Sequence, residues 1–505
     1  MGNPKKLPAK KKDQLLDLIN QLSANELRYF HLYSQLTPNE KNFQKLFKLI
    51  QGKKTFNTSE LKQLTKGKMN LAYEKQYLQK MLLRSLRNYH SESSPEIIIN
   101  EYLTDIEILY RHGMSEMAWA LIQKAKSLAI ENEMTLHYLI ICNWEHRYIG
   151  VTIHNNQLET NLQANFADER KRLYEHENIL DYKFLKFGVL RNMRHKGVLQ
   201  GPDEQDYIRQ LVDHPLMASE KMAKSFKAKM LYYEIQIHYY MLQNQWKPAR
   251  QTAAQAVELI ETTPNAIRNY LQNYYVMLCN YSNACIVEAD YSGVEIAVKK
   301  MVDLLNNQAL KIPPKYRADI FAYSVERKMV ALSIKKDFSK GIEYGLSVVE
   351  EIKKYKGTVH NSFKTVFDYF MALFYFHEQK YTEAHGHLRQ ILNDDYSSTR
   401  RDYQLAAMLM NILVHYELKN EEILLSLLLA MNRFCKASGI KSAFLTQFNQ
   451  MIKDLIKAKG NKPELRKIFS LYQKETERLN QNSQDSIIMG TLDISDWFKH
   501  KIHFT

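Results

Sequence analysis

One arrangement of side chains recurs along this chain. A small or aromatic residue is followed three positions later by a small or apolar residue, then by apolar or small residues after four and three more. The examples are Ser115, Ala118, Ile122, Ala125; Trp246, Ala249, Ala253, Ala256; Tyr291, Val294, Val298, Met301; Phe338, Gly341, Gly345, Val348; and Tyr381, Ala384, Leu388, Ile391. The second members step 249, 294, 341, 384, intervals of 45, 47 and 43, and the gap from 118 to 249 is 131, close to three such steps. Residues spaced by three and four share one helix face. Small residues there let two helix backbones approach closely, and the leading aromatic is expected to plug the turn between paired helices. A single amphipathic pair cannot bury its own face, so such pairs stack on their neighbours. Two weaker repeats are expected near Leu162 and Tyr207, and a further one in Ile423–Asn432 after the polar turn Lys419-Asn420-Glu421.

The rest of the sequence agrees with helices. Glycine is 16 and proline 11 of 505 residues, less than half the usual share of turn-formers. No sustained apolar/polar alternation argues for a sheet. The expected fold class is all-α: a right-handed α-solenoid of antiparallel helix pairs over 93–480, a small helical N-terminal domain over 1–92, and a linker and aromatic tail over 481–505. Ser91-Glu92-Ser93-Ser94-Pro95 marks the first boundary. Ser23-Ala24-Asn25-Glu26 and Thr37-Pro38-Asn39-Glu40 read as capping boxes.

The unit Met371-Ala372-x2-Tyr375 followed by Lys380-Tyr381-x2-Ala384-x3-Leu388 resembles the core of the tetratricopeptide repeat superfamily. The resemblance covers roughly 97–435. It departs from the family in its period, near 45 rather than 34, and in its missing closing prolines. It implies peptide or protein binding on a concave face. By the repeat register, Glu107, Glu234, His238, Asn280, Asn283, Arg327 and Tyr369 would line that groove. The family's set of Lys and Asn residues that clamps chaperone tails has no match here, so that ligand is not carried over.

Charge is uneven. Residues 1–90 hold 18 Lys/Arg against 6 Asp/Glu, a net of +12, out of +15 for the whole chain. Residues 1–12 read as a disordered basic arm. Ser59–Lys66, the turn Gly67-Lys68-Met69-Asn70 and Leu71–Asn88 have the layout of a helix-turn-helix over 59–88. The second helix would bury Leu71, Leu78, Leu82 and Tyr89 and expose Gln76, Lys80, Arg84 and Arg87. Lys53, Lys54, Lys62, Lys66 and Lys68 would add phosphate contacts. Three readings stand: nucleic-acid binding, an acidic protein or ribosomal partner, or a solvated cap.

Nothing in the sequence marks catalysis. No phosphate-binding loop, dinucleotide fingerprint, zinc helix or nucleophile elbow is present. His377, His385 and His387 form the densest histidine group, but His385 and His387 point roughly 200° apart on a helix. No cofactor and no metal is expected. The longest apolar run, near Ile423–Met431, is broken by Ser426 and falls far short of the ~20 residues of a span. Met1-Gly2 lacks the Ser or Thr that a myristoylation signal needs where Lys6 stands. A cytoplasmic protein with reduced, buried thiols at Cys142, Cys279, Cys285 and Cys435 is expected. Trp497 and Phe498 either cap the last repeat or dock on a partner or a second copy. The expected function is a non-enzymatic scaffold that binds a protein or peptide, with a nucleic-acid-binding regulator as the alternative.

Overall fold

The computed structural model describes residues 13–36, 42–52, 70–92, 94–152, 156–196, 202–355, 359, 361–393, 400–440, 442–458, 460–479 and 494–504. Among them every regular element is helical, and there are 23 α-helices. Each packs chiefly on its neighbours in sequence. The backbone divides into two compact units, 1–178 and 179–505.

Unit 1 begins with α1 (Gln14–Gln21), α2 (Ala24–Gln35), α3 (Asn42–Ile50) and α4 (Leu71–Tyr89). The Ser23–Glu26 capping box forms: Ser23 Oγ accepts from the Glu26 amide, and the Glu26 carboxylate accepts from the Ser23 amide. Thr37–Glu40, the first helix of the expected helix-turn-helix and the basic arm lie outside the described residues. Phe30, Phe43, Leu46, Phe47, Leu78 and Leu82 make a small core. Tyr89, expected inside it, is 38% exposed, at the C-terminal end of α4 with its ring 5.3 Å from Tyr29 of α2. A second, separate core joins α5 (Pro95–Arg111), α6 (Ser115–Glu131) and α7 (Thr135–Thr152) through Ile99, Ile106, Ile122, Ala125 and Ile141.

The expected helix pairs near Leu162 and Tyr207 are not what forms. One 41-residue helix, α8 (Asn156–Lys196), fills most of that interval, followed by the short α9 (Pro202–Val212). No glycine or proline stands in 156–187 to break it, and its charged middle is made of good helix formers.

In unit 2 the pairs are regular. First helices are α10 (Phe226–Leu242), α13 (Leu271–Val287), α15 (Pro314–Ile334), α17 (Asn361–His377) and α19 (Arg401–Glu417). Their partners are α11 (Trp246–Thr262), α14 (Tyr291–Asn306), α16 (Phe338–Lys354), α18 (Tyr381–Leu392) and α20 (Glu421–Ser438). The four-residue α12 (Ala266–Asn269) precedes α13. Each first helix packs on its partner and also on the first helix of the next pair. The turn inside each pair is the same. A residue in the left-handed region (Asn244, Ala289, Lys336, Gln379, Lys419; φ 54–60°) is followed by an amide that donates five residues back. Examples are Asp290 to Cys285 at 2.8 Å and Lys380 to Tyr375 at 2.9 Å. This is the Schellman closure of a helix C-terminus. It recurs at the spacing read from the side chains.

The small residues sit where backbones meet. Ala249, Ala253, Ala256, Ala297 and Ala384 are fully buried. A Cβ on Gly341 would lie 2.6 Å from the Phe374 ring, and one on Gly345 2.1 Å from Met371 Sδ. The leading aromatics behave differently from expectation. Phe338 stacks on His377 at 4.2 Å, and Tyr291 lies under Lys335 Nζ at 4.6 Å. Both reach forward to the end of the next first helix instead of plugging their own turn. Tyr381 does meet its own pair, edge-on to Phe376.

The remaining helices are α21 (Ala443–Lys457), α22 (Lys462–Leu479) and α23 (Ser495–Phe504). Trp497 and Phe498 on α23 are 4% and 1% exposed, with Trp497 edge-on to Phe469 at 5.4 Å. Glu417 accepts from Trp497 Nε1 and from Lys501, each at 2.6 Å. Asp496 pairs with Lys336, and His500 lies 3.2 Å from Gln379. The two aromatics are thus spent inside unit 2, where α23 lies against three successive pair turns. Among the described residues no helix is long and apolar enough to cross a membrane.

Candidate functional site

The first helices of unit 2 carry an unusual load of buried polar groups. On α10, Glu234 pairs with Lys186 of α8 at 2.7 Å, their side chains 8% and 25% exposed. His238 lies one turn further on and is buried. Its Nδ1 has no hydrogen-bond partner. Burial pushes its pKa down, against the pull of the Glu234 carboxylate.

On α13, Asn280 is 7% exposed and its Nδ2 donates to nothing. Asn283, one turn on, is half-buried. On α15, Arg327 Nη1 donates to Glu326 at 3.2 Å while its Nε is buried and unpaired. Asn280 and Arg327 hold the same register, each nine residues before the left-handed residue of its pair. Arg327 is close enough to the Cys279 thiol to act on its charge. Burial nonetheless dominates and pushes that thiol up to about 12.

At the start of α19 its N-cap residue Arg400 lies over the Tyr403 ring at 4.2 Å and donates to both Asp402 oxygens. Tyr369 of α17, expected to line the same face, is 1% exposed and packs edge-on to Tyr403 at 5.1 Å. It belongs to the interior, where Tyr403 of α19 covers it. Glu107 stands apart in unit 1. It is half-exposed and paired with Arg111 of its own helix at 2.5 Å. Glu234, His238, Asn280, Asn283, Arg327 and Tyr369 thus fall on consecutive first helices, with Glu234, His238, Asn280 and Tyr369 buried, whereas Glu107 lies in unit 1.

The histidines serve packing between helices. His387 Nδ1 lies 2.9 Å from Asp368 Oδ1, His385 Nδ1 lies 3.1 Å from Asn411, and the His385 and His415 rings meet edge-on at 4.7 Å. Among the described residues no three potential ligands converge on a metal position.

Sequence reasoning missed a charged cluster in unit 1. Lys126 and Glu145 pair at 2.5 Å, 13% and 5% exposed. Tyr138 donates to Asp168 at 2.6 Å, and Arg172 donates to the same carboxylate at 2.9 Å while covering the Tyr138 ring. His146 and Glu169 pair at 2.8 Å. Cys142 sits among them with its thiol pushed up to about 12, burial first and Glu169 second. A thiol so held is protonated at neutral pH and is no nucleophile. The groups come from three helices, and within each helix the sequence offers only ordinary spacings of three or four, such as Tyr138/Cys142/His146 and Asp168/Arg172.

The basic face of α4 is on the surface. Gln76, Lys80, Arg84 and Arg87 are all exposed. A depression of about 530 Å³ is lined by Gln76, Gln79, Lys80, Leu83 and Arg87. Lys53, Lys54, Lys62, Lys66 and Lys68 lie outside the described residues.

Compared with known proteins, the chain matches no family model and no curated relative.

Proposed function

We propose that this chain is a non-enzymatic binding scaffold, a tetratricopeptide-like solenoid whose first helices in unit 2 receive a protein or an extended peptide. One observation carries the reading. Buried polar atoms without partners recur in register on consecutive first helices, at Asn280 Nδ2 and Arg327 Nε, beside the unpaired Nδ1 of His238. Each such atom costs about 1–3 kcal/mol of stability. An apolar residue of similar size would remove that penalty. Groups kept at such a cost serve something other than folding, and donors of this kind suit the carbonyl and carboxylate oxygens of a peptide.

The test uses a photoreactive amino acid in the full chain, placed at Asn283 on a first helix or at Leu346 on a second helix. Leu346 is 57% exposed and Asn283 is half-buried, so each side chain reaches solvent. In a cell extract the probe at 283 should capture a discrete protein and the probe at 346 should not. Capture at 346 with none at 283 would overturn the reading.

A further inference from the structure

Helix α4 separates its two faces sharply. Leu71, Leu78, Met81, Leu82 and Ser85 are buried. The outward face carries Tyr73, Gln76, Gln79, Lys80, Leu83, Arg84 and Arg87, all exposed. Every one except Leu83 is a hydrogen-bond donor. The only carboxylate between Tyr73 and Tyr89 is Glu74, which accepts from Asn42 Nδ2 at 3.2 Å. Two ion pairs form among the described N-terminal helices, Lys75 with Asp13 at 2.5 Å and Glu26 with His90 at 2.7 Å, and both lie off this face. Among the described residues Lys80, Arg84 and Arg87 form no ion pair. A solvated helix surface ordinarily mixes both signs, so a face whose charges are all positive is complementary to an anion.

We infer that this face of α4 binds duplex DNA, lying in the major groove. The helix is 19 residues long, about 28 Å at ~1.5 Å per residue, and a helix of ~10–12 Å diameter fits a groove about 12 Å wide. Lys80, Arg84 and Arg87 lie about 6 and 4.5 Å apart along the axis, a spacing that reaches several backbone phosphates. Gln76 and Gln79 carry the paired donor and acceptor that matches an adenine edge, and Leu83, 46% exposed, offers apolar contact to a thymine methyl. An acidic peptide would use the cations but would leave the glutamine amides without a matching edge. This site is independent of the first-helix face of unit 2.

The experiment is a fluorescence titration of a short labelled mixed-sequence DNA duplex with the full chain at rising salt. The comparison is a variant carrying Lys80→Gln, Arg84→Gln and Arg87→Gln. All three side chains are exposed, and an unchanged melting temperature certifies the fold. The wild type should bind, and its affinity should fall steeply with salt. Losing three phosphate contacts should lower the log–log salt slope by about 2.7 and shrink the loss between 50 and 200 mM about 40-fold. Gln76→Ala with Gln79→Ala should leave that slope alone and weaken preference between duplex sequences. No binding at 50 mM, or a triple variant that binds like the wild type, would overturn the proposal. Equal competition by polyglutamate of matched charge would overturn it in favour of an acidic protein partner.

Discussion

Ala289 shows what a single residue costs in this architecture. It holds φ 54° in the turn between α13 and α14, a region that costs an L-residue about 1–2 kcal/mol. Ala289→Gly should therefore stabilise unit 2 by up to about 1 kcal/mol, less the glycine's extra unfolded entropy; a urea midpoint checks it. His238 gives a pH dependence. Its folded pKa lies below the ordinary histidine value because it is buried, so the unfolded chain binds protons first as pH falls. Stability is then full above about pH 6.5 and declines as pH drops through the folded value. His415, also lowered by burial, adds in the same direction. Melting temperatures between pH 7 and 5 should fall less steeply in His238→Phe than in the wild type.

At the scale of elements, the two glycines of α16 are the sharpest test of close packing. Gly341→Ala would drive a methyl into the Phe374 ring, which is held on both sides, at a cost of about 1–3 kcal/mol. A thermal melt reads it directly, and no loss would mean that α16 and α17 are farther apart than described. This contact was legible in the sequence, since Gly341 and Gly345 fall on the register of Ala249 and Ala384. The turns were legible for the same reason. The interval 156–196 was not, because extrapolating a period cannot tell two 17-residue helices from one long one when no breaker intervenes. The long helix also leaves Phe184 and Phe187 71% and 68% exposed, which an amphipathic register would have buried. Of the residues proposed to bind, Asn280 and Arg327 were placed on first helices by the repeat register. It could not tell that Tyr369 is walled in by α19, because that burial depends on the neighbouring pair.

Among the described residues the order of packing follows the order of the chain, and α23 makes a long return. It contacts turns near Lys336, Gln379 and Glu417, between 80 and 160 residues earlier. Trp497→Ala should cost about 3–5 kcal/mol, read by denaturation, with an unchanged sedimentation coefficient at native temperature. A change in association on that substitution would instead place the aromatic tail between copies. Basic charge gathers at one end of the sequence and the in-register orphaned atoms of Asn280 and Arg327 lie in unit 2, so two separate surfaces carry the binding functions proposed. The central claim is that the first-helix polar groups are kept for a partner and not for the fold. Asn280→Leu tests it most directly, with stability and photocapture at position 283 measured on the same protein. The account predicts a denaturation midpoint equal to or above wild type, by up to about 1–3 kcal/mol, together with lost capture. A clear fall in midpoint would contradict it, because Asn280 would then be part of what holds α13 to its neighbours.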